Sequence, residues 1–175
     1  MTAPTTAPTT APPHVRDLLP HRYPMLLVDR VVELVPGESV RALKAVTFNE
    51  PWYAGLSPDS STAYPASLLI ESWGQAAGLL AAAAAPETAG QVMLFGSVAD
   101  AEFHLPVHPG DVLEHHVRIS HTLTDSVIFE GVSRRGPDTV LSVARMVMAF
   151  RPAERLRTGT PTARPDAGRD REATP

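Results

Sequence analysis

The sequence contains no cysteine. That excludes disulfides, thiolate metal sites and cysteine nucleophiles, and leaves the redox compartment open. Lysine is nearly absent. Lys44 is the single one, so arginine supplies the rest of the positive charge. Acidic residues outnumber basic ones, giving a formal net charge of -4 and no general reason to expect a nucleic-acid partner. No apolar run has the length and purity of a membrane span. The N-terminus lacks the basic-then-apolar order of a signal peptide. A soluble, cytoplasmic protein is expected, with neither nucleic acid nor a membrane as partner. No metal-ligand spacing, phosphate loop or Ser-His-Asp order is visible, so no metal and no cofactor is implied.

What remains is enough for one folded unit. The chain has 175 residues, of which 43% are hydrophobic, and this suits a single domain with a real core. Both ends are poor in apolar residues. Met1 to Pro13 is a Thr-Ala-Pro repeat, and Pro152 to Pro175 is mostly Arg, Thr, Pro, Ala and Asp. Neither stretch can bury enough surface to offset the entropy of ordering. The expected organisation is a disordered tail over 1–13, a domain over 14–151 and a second disordered tail over 152–175.

The domain is organised around Asn49 to Ala85. Its first half, to Pro65, reads as a loop rich in Pro, Ser and Gly. Its second half, from Ala66, reads as a helix that is apolar nearly all round, which predicts burial. Only Glu71 and Gln75 interrupt the larger apolar side chains, four residues apart and so on one face. A carboxylate there is costly unless it is paired or used. Around this helix the chain alternates. His14 to Leu19 suits a short helix, Met25 to Val35 and Ser39 to Thr47 suit a hairpin, and Gln91 to Val98 suits a strand. Ala101 to Leu105, Val112 to Thr124, Val127 to Ser133 and Thr139 to Phe150 suit further extended pieces. Leu113, His115, Val117 and Ile119 share one face, which makes His115 a core residue. The order argues an α+β fold, a helix packed on an antiparallel sheet. A single curved sheet wrapped around one long central helix is the hotdog fold.

Several segments together resemble one family. LPHRYPMLLVDRV (Leu19 to Val31), AVTFNEPWYAG (Ala45 to Gly55), YPASLLIESWGQAAG (Tyr64 to Gly78) and SVADAEFHLPVHPGD (Ser97 to Asp111) lie in collinear order. They are similar to the 3-hydroxyacyl-acyl carrier protein dehydratases of the FabZ type. The resemblance implies a hotdog fold, a dimer as the basic unit, and acyl chains delivered as thioesters on acyl carrier protein. It also implies a site shared between subunits. One subunit supplies a histidine from a Gly-His-Phe-Pro loop, and the other supplies a carboxylate from its central helix.

Dehydration of a 3-hydroxyacyl thioester needs a base for the proton beside the carbonyl and an acid for the leaving hydroxyl. It also needs donors for the enolate-like oxygen. The resemblance assigns the carboxylate to Glu71. It places Leu56, Tyr64, Ala66 and Gln75 as substrate-binding positions, Ala66 through a backbone donor at the helix start. The family's Gly-His-Phe-Pro is here Gly55-Leu56-Ser57-Pro58, followed by a loop one residue longer. Leu56 carries no proton. Nothing in the sequence brings another of the seven histidines to Glu71, and His21, in Pro-His-Arg-Tyr-Pro, reads as structural. Trp52, Tyr53, Tyr64 and Trp73 suit a tunnel wall or plain core packing equally.

Three readings follow. In the first, the chain is a dehydratase-like subunit in fatty acid or polyketide biosynthesis. It lacks its own base and gives Glu71 to a site completed by a histidine-bearing homologue, so the dimer is a heterodimer. In the second, it is a stand-alone dehydratase, as a homodimer, with a substitute base. In the third, it is a hotdog thioesterase using Glu71. The first is preferred. Acyl carrier proteins are acidic, so Arg22, Arg134 and Arg135 are candidates for docking one.

Overall fold

The computed structural model describes residues 13–84 and 91–152. The two expected tails, apart from Pro13 and Pro152, lie outside the described residues. A short helix α1 (Val15–Leu18) leads into the hairpin β1 (Arg30–Val35) and β2 (Ser39–Ala45). A long helix α2 (Ala66–Ala84) follows, then β3 (Gln91–Phe103), β4 (Val112–Thr122), β5 (Ser126–Arg135) and β6 (Asp138–Pro152). The six strands form one antiparallel sheet in the order β1-β2-β4-β5-β6-β3. This is the expected α+β hotdog architecture, with α2 in contact with six elements around it: α1, β2, β3, β4, β5 and β6.

The sequence explains the wrapping. Every residue from Ser72 to Ala81 is buried. The helix has no solvent face over that stretch, so its apolar surface is satisfied only by enclosure. Trp73, Leu79 and Leu80 meet Leu113, Phe129, Leu141 and Met146 from the sheet in one core cluster. Gly131 shows how closely the strands are drawn together. Its φ is +151°, and a Cβ there would lie 2.0 Å from the His116 carbonyl oxygen. Only glycine fits that bulge.

Two strand expectations change. The first strand was expected from Met25, but β1 begins at Arg30. The preceding backbone bonds the helix instead of a strand: Leu27 N–H donates to Gln75 Oε1, and Met25 C=O accepts from Gln75 Nε2. Leu27 and Val28, consecutive residues, are both buried, which no sheet alternation permits. The two pieces expected at Gln91 to Val98 and Ala101 to Leu105 are one strand, β3. It pairs with β6 from Gln91 to Phe103 across an irregularity between Phe95 and Ser97.

His115 is a core histidine, as its strand face implies. It is fully buried and bridges Ser72 Oγ at 3.1 Å through Nε2 and Ser133 Oγ at 2.7 Å through Nδ1. Ser72 gives its own hydroxyl proton to Leu69 C=O, so Nε2 carries the ring proton and Nδ1 accepts from Ser133. Burial, with Lys44 and His116 nearby, pushes the ring down to about 3 from an ordinary 6.5. The folded state therefore keeps it neutral while the unfolded chain protonates it below 6.5. Its stabilising contribution is whole above that value and falls as the pH drops towards 3. Urea unfolding of the wild type and His115→Gln checks this. From pH 7 to pH 5 the wild type should lose about 2 kcal/mol more than the variant. Equal losses would refute the assignment.

Candidate functional site

The approach to α2 is fixed by a buried ion pair. Lys44 Nζ lies 2.9 Å from Glu50 Oε1 and also donates to Ala45 C=O. Tyr64 donates its hydroxyl to Glu50 Oε2 at 3.3 Å, and Lys44 stands over its ring at 5.4 Å. Burial, then the Glu50 charge, holds the Tyr64 phenol far above its usual range, so it stays a donor. Trp52 packs edge-on against Tyr64, and Tyr64 N–H donates to Val107 C=O. Pro65 then starts the helix: Leu68 and Leu69 donate to its carbonyl. The Ala66 and Ser67 N–H groups have no backbone acceptor among the described residues, the usual state of a helix N-terminus.

Glu71 lies in the second turn of α2, and its side chain is 35% exposed. Gln75 holds it, donating from Nε2 to Glu71 Oε1 at 3.0 Å. Gln75 has no freedom to do otherwise, because its Oε1 accepts from Leu27 N–H at 2.9 Å and its Nε2 also donates to Met25 C=O at 2.7 Å. Its amide orientation is thereby fixed by the network. On the other side His21 Nε2 stands 3.7 Å from the same Oε1. Both neighbours approach Oε1, and Oε2 has no hydrogen-bond partner among the described residues. The carboxyl thus has one held oxygen and one open oxygen.

Glu71 and His21 share a cavity of about 130 Å³, whose apolar wall includes Met93, Phe95 and Met148. The His21 backbone is shaped by Arg22, whose guanidinium donates to the carbonyls of Leu19 and His21 at 2.7 Å and of Arg16 at 3.3 Å.

The sequence-selected residues therefore divide. Glu71 and Gln75 meet at the cavity, with Gln75 only 2% exposed and all its polar atoms internally bonded. Leu56 is 41% exposed on the preceding loop, Ala66 is exposed at the helix start, and Tyr64 is buried against Glu50. None of these three lines the Glu71 cavity. Trp73 is core, fully buried. Among the expected docking cations, Arg135 is engaged by Asp111 and Asp138, whereas Arg134 is exposed. His21 was read as structural, yet it is the histidine beside Glu71. The signal was weak. Forty-nine residues of chain separate the pair, and the segment reaches the helix through the Gln75 bonds to Met25 and Leu27 and through Leu19 packed at Gly78.

The arrangement leaves one carboxyl oxygen of Glu71 open at the edge of an apolar recess. No helix among the described residues is long and apolar enough to cross a membrane.

Known proteins resemble this chain in sequence and in fold. Residues 19–136 match the FabA-like domain family. The 3-hydroxyacyl-[acyl-carrier-protein] dehydratase FabZ of Paracidovorax citrulli is 43% identical over 136 residues, covering 77% of this chain and 92% of that protein. FabZ of Yersinia enterocolitica is 34% identical over 153 residues, covering 87% and 90%. Among solved structures, the dehydratase heterocomplex ApeI:P from Xenorhabdus doucetiae superposes with a TM-score of 0.69 at 18% identity, over 85% of this chain and 96% of that one. A hypothetical thioesterase from Streptococcus pneumoniae with coenzyme A gives 0.54 at 11% identity, over 70% and 85%. At these identities the structural likenesses show the fold. The sequence matches show more: this chain belongs to the FabA-like domain family, with the FabZ 3-hydroxyacyl-[acyl-carrier-protein] dehydratases.

Proposed function

We propose that the chain is a cytoplasmic dehydratase subunit of fatty acid or polyketide biosynthesis. It takes 3-hydroxyacyl thioesters carried on acyl carrier protein and contributes Glu71 to a site completed by a histidine-bearing homologous subunit. The observation that carries the reading is Glu71 itself. It is partly open, held through one oxygen by a locked Gln75, and set against an apolar recess. A carboxyl so placed suits general acid catalysis on a leaving hydroxyl beside an acyl chain. The Ala66 and Ser67 N–H groups suit a thioester oxygen. Gln75 acts by positioning, and Tyr64 and Leu56 shape the approach to the helix.

Pairing with a second subunit is supported by β3. It is an edge strand that leaves Phe95, Val98 and Phe103 exposed, and such an edge favours a partner strand. Of the three arginines expected to dock an acidic carrier protein, Arg22 and Arg134 are exposed.

The test compares the purified chain with the same chain coexpressed with a FabZ homologue that keeps the loop histidine. Light scattering reports the pairing, and enoyl formation reports turnover. The pair should form and should exceed the isolated chain by about 10²- to 10⁴-fold, the usual contribution of a general base. A stable monomer that never pairs, or full turnover by the isolated chain, would refute the shared site.

A further inference from the structure

We propose that His21 and Glu71 form an acid–base pair within one protomer, able to dehydrate a 3-hydroxyacyl thioester without a partner's histidine. The substrate class rests on the dehydratase reading above, and the assignment of a base in this chain goes beyond it.

Three observations meet at this pair. The first is proximity: His21 Nε2 and Glu71 Oε1 are 3.7 Å apart on one cavity wall, with side chains 34% and 35% exposed. At that distance there is no hydrogen bond between them, so Nε2 is free to accept a proton. The second is selectivity. Among the described residues only the rings of His21 and His116 lack a hydrogen bond, and His116 lies on the sheet beside Glu114, away from the cavity. His14, His104, His108, His115 and His121 are each bonded, and His116 is paired with Glu114. The third is His21 Nδ1, which is buried with no partner. A buried ring nitrogen left unpaired is uncommon in a residue whose role is only structural. The backbone around it is nevertheless held firmly, by the three carbonyl contacts of Arg22.

The chemistry closes on two side chains. His21 Nε2 takes the C2 proton. The electron pair left behind forms the C2–C3 double bond as the C3–O bond breaks. The leaving hydroxyl takes the proton of the Glu71 carboxyl and departs as water. His21 now holds one added proton and Glu71 is a carboxylate. Transfer of that proton from Nε2 to Glu71 restores both groups, with no proton gained or lost by the protein.

The experiment uses the isolated full-length chain and 3-hydroxybutyryl pantetheine. Slow turnover above the uncatalysed rate is expected. His21→Ala should reduce the enzymic rate about a hundredfold, and added imidazole should restore part of the loss by occupying the vacated space. His21→Gln, which keeps a polar side chain but not a base, should be equally slow. The melting temperature of each variant is measured alongside. The proposal is overturned if the isolated chain gives no turnover above background, if His21→Ala is as fast as wild type, or if imidazole restores nothing. The dehydratase reading has its own test in Glu71→Gln within the paired complex. If that variant is slow while the isolated chain is inert, the shared site stands and the one-protomer pair falls.

Discussion

Glu71→Gln in the complex with a histidine-bearing homologue should lower kcat by about 10²- to 10⁴-fold and leave KM little changed. Glutamine keeps the length of the side chain, and its carbonyl oxygen can still accept the 3.0 Å bond from Gln75 Nε2. The complex should therefore assemble and melt as before. What is lost is the transferable proton at the open oxygen. A control sharpens the test. The proposed shared site would set the partner's carboxylate against the loop of this chain that carries Leu56. Changing that partner carboxylate to an amide should then be nearly silent. Changing the partner's loop histidine should be as damaging as Glu71→Gln. Equal sensitivity of the two carboxylates would show two working half-sites and refute the shared site as drawn here. Unaltered turnover with Glu71→Gln would remove Glu71 from the chemistry altogether.

The parts of this arrangement that were legible in the sequence are those set by local pattern. The apolar run of α2 implied burial. The period-two stretches implied strands, and the four-residue spacing of Glu71 and Gln75 put them on one face, where they bond. The illegible parts depend on contacts between distant segments. Met25 to Asp29 has strand composition, but its partners are Gln75 and the edge of β2, so β-propensity misassigned its start. His21 reached Glu71 through that same non-local tie. Nothing in the sequence marks Lys44 as buried, since lysine is usually exposed. Only the folded loop reveals that it is 4% exposed and surrounded by Glu50, Tyr64 and the Ala45 carbonyl.

Removing that lysine should be among the most destabilising changes in the chain. Lys44→Ala leaves the Glu50 carboxylate with its side chain only 12% exposed and without its counter-charge. Breaking a buried pair in this way costs about 3–5 kcal/mol, because the remaining charge has neither water nor a partner. Glu50 would retain the Thr47 N–H and the Tyr64 hydroxyl as donors, which favours the lower part of that range. The double change Lys44→Met with Glu50→Leu separates charge from packing. It removes both charges while filling similar volume, so it should recover much of the loss. The cost should also reach the site. Glu50 and Tyr64 fix the loop that ends in Pro65 and the first turn of α2, and Glu71 lies one turn further on. Lys44→Ala should therefore slow the paired complex even at temperatures where it stays folded, through a displaced helix start. Urea denaturation of the single and double variants gives the stability terms, and turnover at low temperature gives the functional one. A Lys44→Ala loss below about 1 kcal/mol, within the range of an exposed pair, would show that the Lys44–Glu50 contact does not hold the loop.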